Sequence, residues 1–336
     1  MRDAFAVAVA VPFLIGAALA PAPADRDVVL HFEDPAIVES SGLVVTDDLV
    51  LTVNDSGDSA RVFAVDPGTG RTVGVTTWDA EPTDVEALAP AGPGEVWVGD
   101  IGDNTESRDS VTVTRVPVGR GDRAVAGASY DLSYPGGAAH DAEALLAHPR
   151  TGRLFVVTKG VLGGEVYAAP SSLRADGPNR LERIGEAPGI VTDGAFFPDA
   201  RHVMLRNYGR AYLLDFPSLE PVADLDLPAQ KQGEGLAIDA DDTVYLSSEG
   251  VRSAVLRVAL PEEMTAALAG SASPSASASP SASSSSSSSP SPSASPAPGT
   301  GLPSMDDDQR SAVPWLVGFA IFGIGIVVLV RALRPR

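Results

Sequence analysis

Short runs of alternating hydrophobic and polar residues, separated by turns rich in Gly, Pro, Asn and Asp, fill residues 25–269. Such alternation predicts β-strands, because successive side chains of a strand point to opposite faces. One pattern occurs five times: its second residue is an acid or Ser, its third is Gly or Ala, and its fourth is usually Leu. The copies read SSGLVV (40–45), VEALAP (85–90), AEALLA (142–147), TDGAFF (192–197) and GEGLAI (233–238).

The spacing of these copies predicts the fold class. A period of about 45 residues in an all-β pattern is typical of propeller blades of four strands each. The fifth copy lacks a fourth strand, whereas DVVLHFE (27–33) precedes the first copy and belongs to no blade. We therefore predict a β-propeller, most simply of five blades, that is closed by its N-terminal strand, since closure removes an open sheet edge. A sixth blade follows if residues 105–140 contain another repeat.

The two apolar segments outside this region predict the membrane topology. Residues 1–24 have the charge and apolar pattern of a signal peptide, with Ala22-Pro23-Ala24 as a cleavage site. Residues 311–330 carry no charge and, as a helix, would span about 30 Å, enough to cross a bilayer. The basic tail 331–336 follows, so the positive-inside rule places it in the cytoplasm. We expect a single-pass protein of the cell membrane with its propeller outside the cytoplasm.

A low-complexity segment separates the predicted propeller from the predicted membrane helix. Residues 270–310 consist largely of Ser, Pro and Ala and have almost no apolar bulk, so this segment cannot form a core. We predict a disordered tether that lifts residues 25–269 away from the bilayer. The absence of cysteine agrees with an exported domain that needs no disulfides, because about 245 residues can bury a sufficient core.

The charge balance narrows the classes of partner. The chain has 44 acids and 24 bases, a formal net charge of −20. Such a surface repels the phosphate backbone, so we expect no nucleic-acid partner. It suits cations, a cationic ligand or simple solubility.

Propeller geometry brings the acids of the repeat together. The first strand of each blade lines the central channel, and its start lies at the same channel mouth as the end of the second strand. Carboxylate and Asn oxygens without His or Cys favour Ca²⁺ or Mg²⁺, and no motif demands another cofactor. The candidate metal ligands are Glu39, Asp84, Glu86, Asn104, Asp141, Glu143, Asp193, Asn207 and Glu234. The candidates for binding an organic ligand are Asp55, Asp100, Asp103, Lys159 and Arg206.

Three interpretations of these acids stay open. Asp and Asn are also common in tight turns, where their side chains accept hydrogen bonds from nearby amides. Acids on inner strands can bind amides of the neighbouring blade in the same way. The group is therefore structural, or it holds a divalent cation, or it binds an organic ligand.

Sequence signatures of catalysis are few. The chain has no G-x-S-x-G, H-E-x-x-H or GxxxxGK motif, and it has no cysteine nucleophile. His140, next to Asp141, is the one histidine placed to act as a base at the channel mouth, and a surface histidine is the simpler interpretation.

Several segments together carry a family resemblance. ESSGL, VNDSGDSARVFAVD, VGDIGDN, DAEALL and QGEGLAID, within residues 36–260, resemble a group of bacterial exported, membrane-anchored β-propellers. That group is distantly similar to esterase-like phytases and to gluconolactonase-like propellers. The first similarity implies phosphoester hydrolysis at a channel mouth. The second implies a divalent metal in the channel, for which Glu39, Asn104, Asp193 and Asn207 are the nearest candidates.

The sequence leads to two main functional hypotheses. The first is a membrane-anchored propeller that binds a small molecule, glycan or protein at its acidic channel mouth without catalysis. The alternative is a divalent-metal-dependent hydrolase of an ester, lactone or phosphoester. A scaffold that engages partners through its sides is a third hypothesis.

Overall fold

Each copy of the repeat forms a β-strand in the computed structural model, which describes residues 27–270. These five strands contact one another around a closed circuit, and each lies at the inner end of its own sheet. They are β2 (Ser40–Val45), β6 (Val85–Gly92), β11 (Ala142–Ala147), β16 (Asp193–Phe196) and β20 (Gly233–Ile238). The predicted five-bladed, all-β propeller is therefore confirmed.

The remaining strands follow outward in chain order within each blade. Blade 1 continues with β3 (Val50–Asn54), β4 (Arg61–Val65) and β5 (Thr72–Trp78). Blade 2 continues with β7 (Glu95–Asp100), β8 (Val111–Pro117) and β10 (Ala128–Ser133), and blade 3 with β12 (Leu154–Thr158), β13 (Gly164–Ala168) and β15 (Glu182–Ala187). Blade 4 continues with β17 (His202–Arg206), β18 (Arg210–Asp215) and β19 (Pro221–Asp226), and blade 5 with β21 (Val244–Ser248) and β22 (Ala254–Val258).

The N-terminal strand closes the ring. Strand β1 (Val28–His31) pairs antiparallel with β22 and supplies the fourth strand of blade 5. Leu30 and Phe32, the residue just after β1, are 6% and 0% exposed, and the Phe32 amide donates to the Ser253 carbonyl at 3.0 Å. The first and last segments of the propeller are therefore joined by backbone hydrogen bonds and by a shared core.

Two short strands link neighbouring blades. Strand β9 (Arg123–Val125) lies in the connection between β8 and β10, yet it pairs in parallel with β5 of blade 1. Strand β14 (Asn179–Arg180), between β13 and β15, pairs in parallel with β10 of blade 2. Residues 105–140 thus supply the outer two blade-2 strands, β8 and β10, and the strand β9 that extends blade 1, so the described part of the chain contains no sixth blade.

A helix follows the last strand. Helix α1 (Glu262–Gly270) buries Met264 and Leu268 in a core cluster shared by blades 4 and 5. Glu262 and Glu263 occupy its first turn, where acids interact favourably with the helix dipole. A short 3-10 turn, Pro135–Gly137, precedes the inner strand of blade 3.

Crowding at the axis explains the small third residue of the repeat. A Cβ atom at Gly42 would lie 2.3 Å from the Leu88 nitrogen and 2.6 Å from the Ala87 carbonyl carbon of the next inner strand. Ala87 and Ala144, at the same position in blades 2 and 3, are completely buried. Larger residues would therefore force adjacent inner strands apart.

The structure bears on the membrane prediction only within residues 27–270. In that range no helix has the length and hydrophobicity needed to cross a bilayer. The predicted signal peptide, the membrane span 311–330 and the tail lie outside the described residues, as does nearly all of the predicted tether.

Truncation of Phe32 should weaken the closure of the ring. Phe32→Ala removes a fully buried ring from the cluster that contains Ile37 and Phe63, so we expect a loss of about 3–5 kcal/mol in the free energy of unfolding. Urea denaturation followed by circular dichroism measures this change.

Val29→Ala is the matched control, because Val29 lies on β1, three residues before Phe32, and is 37% exposed. It should change the free energy of unfolding by about 0.5 kcal/mol or less. Equal effects of the two substitutions would contradict the role given to β1.

Candidate functional site

Four carboxylates and one hydroxyl meet where the inner strands begin. They occupy the second position of the repeat in each blade, and every one is at most 5% exposed. They are Ser41, Glu86, Glu143, Asp193 and Glu234. We call this end of the channel the acidic mouth. Burial of several like charges is costly, so each group needs a proton, a counter-charge or hydrogen bonds.

In blade 3 the counter-charge is a lysine. Lys159 directly follows β12, and its Nζ lies 2.5 Å from Glu143 Oε1. Burial alone would lower the pKa of Lys159, but the Glu143 carboxylate outweighs it and the pKa lies above its usual value. The same Nζ lies 5.9 Å from the centroid of the Tyr208 ring in blade 4. Lys159 thus joins two blades at the acidic mouth.

Between blades 4 and 5, two buried charged side chains form hydrogen bonds with backbone atoms. Asp193 accepts hydrogen bonds from the amides of Gly194 at 2.8 Å and Leu236 at 2.7 Å, and burial raises its pKa well above the usual value. Arg206, with no exposed surface, donates to the carbonyl of Gly235 at 3.2 Å. Burial lowers the pKa of Arg206 to about 10. Both side chains join blade 4 to blade 5.

Three carboxylates converge between blades 1 and 2. Asp55 follows β3, Asp84 precedes β6, and Glu86 lies within it. One carboxylate oxygen from each lies within 4.8 Å of the others, and we call these residues the acid trio. Burial, then repulsion by Glu143, Asp55 and Asp84, raises the pKa of Glu86 to about 11. Burial and the Asp55 charge also raise the pKa of Asp84.

Glycine and hydroxyl neighbours allow the acid trio to assemble. A Cβ atom at Gly102 would lie 2.4 Å from Asp84 Oδ2 and 2.9 Å from Glu86 Cγ, so a larger residue there would displace both acids. Ser41 of blade 1 donates to Glu86 Oε2 at 3.1 Å. The Asn104 side-chain amide lies 3.4 Å from Asp84 Oδ2.

Other predicted acids support backbone near the trio. Asp100 accepts hydrogen bonds from the amides of Thr83 at 3.0 Å and Asp84 at 2.9 Å, and it pairs with Arg108 at 2.8 Å. Asp103 accepts from the amide of Arg108 at 2.7 Å, and Asp141 of blade 3 accepts from the amide of Asp103 at 2.9 Å. These three carboxylates fix the loops that present the trio.

Three other predicted residues lie outside the acid trio. Glu39 forms an isolated backbone bridge with Glu249 of blade 5. The Asn207 side chain stabilises its own turn, because its oxygen accepts from the Gly209 and Arg210 amides at 3.1 and 2.9 Å.

His140 is the third. Its Nε2 lies 3.1 Å from the Tyr167 hydroxyl, on the third strand of blade 3 and away from the axis.

The sequence prediction missed Tyr208 and gave Glu249 no role. Lys159, Tyr208 and Glu249 occupy the same position in their blades. Each directly precedes the glycine of the hairpin after the second strand, in KG, YG and EG. That register could have identified all three. Burial, followed by repulsion from Asp55 and Glu39, raises the pKa of Glu249 to about 7, so it shares the charge environment of the mouth.

One buried oxygen of the mouth has no partner among the described residues. Glu234 Oε2 accepts no hydrogen bond although Glu234 is only 5% exposed. Burial and the nearby Glu143 raise the pKa of Glu234 to about 8. At neutral pH the folded chain therefore holds a proton that the unfolded chain has released.

Comparisons with known proteins reach only the level of fold. No protein-family model and no curated protein matches the chain. A proposed 6-phosphogluconolactonase from Bacteroides uniformis is 17% identical, with 67% of this chain and 68% of that chain covered and a TM-score of 0.38. A gluconolactonase from Xanthomonas campestris is 11% identical, with 65% and 72% covered and a TM-score of 0.40.

A PQQ-bound aldose sugar dehydrogenase from Streptomyces coelicolor is 13% identical, with 71% and 98% covered and a TM-score of 0.41. The distant gluconolactonase-like similarity expected from the sequence is thus found among solved structures. At these identities and TM-scores it carries no argument about the ligand or reaction of this chain.

The raised pKa of Glu234 makes stability depend on pH. The folded value of about 8 exceeds the ordinary 4.5, so the folded state binds more protons between these limits. The free energy of unfolding should therefore fall as the pH rises from about 4.5 to 8, by at least about 1 kcal/mol from this group. Urea denaturation in EDTA at pH 5 and pH 8 measures the change.

Glu234→Gln keeps the shape and removes the titration, so the difference between pH 5 and pH 8 should shrink. Glu81→Gln, at an exposed position, should leave it unchanged. A pH dependence that is the same in all three proteins would contradict the assignment to Glu234.

Proposed function

We propose that the propeller binds a divalent cation at the acid trio, as part of a ligand-binding role of the acidic mouth. The observation that carries this proposal is the approach of three carboxylate oxygens, from Asp55, Asp84 and Glu86, to within 4.8 Å of one another. Ca²⁺–oxygen distances are about 2.3–2.6 Å, so oxygens on opposite sides of one ion are about 5 Å apart. The trio therefore fits around a single ion.

The donor atoms favour Ca²⁺ or Mg²⁺. All three are hard carboxylate oxygens, and neither His nor Cys belongs to the trio, which argues against zinc. Ca²⁺ takes six to eight oxygen ligands, so three carboxylates leave positions for water or for oxygens of a ligand. Burial and then repulsion by neighbouring acids raise the pKa of Glu86, and a cation would relieve the repulsion.

Binding without catalysis is the function we favour. His140, which the sequence places near the mouth, is engaged by Tyr167, and Lys159 is engaged by Glu143. The raised pKa keeps Lys159 protonated, so it cannot accept a proton, and the His140 ring lies against Tyr167, away from the channel axis. A metal-dependent hydrolase of an ester, lactone or phosphoester is the alternative that the same cation site allows.

We also propose that the propeller acts outside the cytoplasm as part of a membrane-anchored protein. The support is the sequence alone: the signal-like residues 1–24, the apolar residues 311–330 and the basic tail. External protease added to intact cells should remove an epitope placed in the propeller and spare one placed at residue 336. Protection of the propeller epitope would contradict this topology.

Thermal unfolding tests the cation site. Ca²⁺ or Mg²⁺ at 100 times its dissociation constant should stabilise the folded protein by about 2.7 kcal/mol relative to EDTA, seen as a raised melting temperature. Asp84→Asn should abolish that shift and, because it removes one of the repelling charges, should raise the melting temperature in EDTA. Asp47→Asn changes an exposed acid and is the control, so it should keep the full shift.

The outcomes separate the hypotheses. An equal shift in wild type and Asp84→Asn, or none with either ion, would disprove the site at the trio. A shift that depends on Asp84, together with hydrolysis of p-nitrophenyl esters, lactones or phosphoesters that is also lost in Asp84→Asn, would favour the hydrolase. A shift without turnover supports the binding function.

A further inference from the structure

A cavity lies at the other end of the channel from the acidic mouth. It has a volume of about 490 Å³ and is lined where the inner strands end, with residues from all five blades. Pockets of about 300–1,000 Å³ hold small organic molecules. We call this cavity the apolar pocket, after the aliphatic and aromatic side chains that dominate its lining.

Blade 4 differs from the other blades where its inner strand borders the pocket. In the other blades the fourth residue of the repeat is a leucine that is 1–2% exposed and packs in a core cluster: Leu43, Leu88, Leu145 and Leu236. Ala195 of blade 4 pairs with Met204, is only partly buried and lines the pocket. The small side chain of Ala195 therefore leaves space on this side of the pocket.

The acid on the lining of the pocket, Asp239, already accepts hydrogen bonds from its own segment of chain. Asp239 Oδ1 accepts hydrogen bonds from the amides of Asp241 and Thr243, both at 2.9 Å. Its Oδ2 accepts from the Tyr245 hydroxyl at 2.9 Å. The carboxylate therefore serves its own turn and offers little to a charged ligand.

The two basic side chains on the lining are also engaged. His148 Nδ1 lies 3.3 Å from the amides of Arg150 and Thr151, and burial lowers the pKa of His148, so its ring is neutral near pH 7. Arg115 pairs with Glu95 on the neighbouring strand. Asp239, His148 and Arg115 therefore each already have a hydrogen-bond or ion-pair partner.

We propose that the apolar pocket binds an uncharged, largely apolar small molecule that contains an aromatic ring. The volume of the cavity sets the size of the molecule. We expect the molecule to be uncharged because Asp239, His148 and Arg115 already have partners. The rings of Trp97 and Phe196 on the lining provide surfaces against which an aromatic group packs edge to face or offset. This site is separate from the cation site and does not depend on it.

N-phenyl-1-naphthylamine, an uncharged fluorophore, is a suitable probe. Titration of the full chain should show one saturable site in the wild type. Ala195→Leu adds three side-chain carbons at a partly buried position on the lining, so it should weaken binding at that site by at least tenfold. Apolar segments outside residues 27–270 are the same in every variant and contribute the same background.

The control is Ala124→Leu, which adds the same side chain at an exposed position of β9. It should bind the probe like the wild type, as should Asp84→Asn, which alters the acidic mouth. If Ala195→Leu fails to fold by circular dichroism, Ala195→Val adds two methyl groups and should give a smaller loss of affinity. Absence of saturable binding in the wild type, or undiminished binding in a folded Ala195 variant, would overturn the proposal.

Discussion

The close approach of five inner strands to one axis is the constraint on which the rest of the structure depends. Gly42 leaves no space for a Cβ atom against the next strand, and Ala87 and Ala144 are fully buried at the same position. Because the strands are so close, the side chains at the preceding position of the repeat all lie at the same end of the channel. The burial of Glu86 and Glu234, and the raised pKa values that follow, are consequences of the same packing.

Counter-charges are distributed unevenly around the acidic mouth, so its uncompensated negative charge lies on one side. Lys159 neutralises Glu143 in blade 3, and Arg206 lies near the buried acids of blades 4 and 5. Among the described residues, Arg108 is the nearby base of blade 2, but it pairs with Asp100 and holds a loop. The uncompensated negative charge therefore lies between blades 1 and 2, where a cation is the remaining way to relieve it short of protonation.

Most of the fold could be predicted because the repeat specifies it locally. The five inner strands and the closing strand β1 follow from alternation, period and the missing fourth strand of blade 5. Strands β9 and β14 could not be predicted, since three and two residues carry no periodic signal and their pairing depends on the free edge of another blade. Helix α1 was missed because its apolar residues are few and are stabilised by contacts with other blades.

The location of the candidate site could be predicted from the sequence, whereas the roles of its individual residues were harder to predict. Register alone places Asp55, Asp84, Asp100 and Glu86 at one channel end. Whether an acid faces another acid or a backbone amide depends on loop geometry, which a β-pattern does not encode. Asp100 thus holds two amides, whereas Asp84, whose amide it holds, faces Asp55 and Glu86.

The packing of each inner strand between its neighbouring blades also positions the acids. In blade 2, Glu86 lies at a β-bulge and joins the acid trio, whereas Leu88 packs with Val85 in the core between blades 1 and 2. Burial of these leucines between blades keeps the strands in register, and that register holds the acids close together against their repulsion. Blade 4 departs from this pattern, because β16 pairs with β17 without a bulge, Asp193 accepts hydrogen bonds from two amides, and Ala195 lines the pocket. The repeat is therefore least regular in blade 4, and the acid trio lies on the opposite side of the ring.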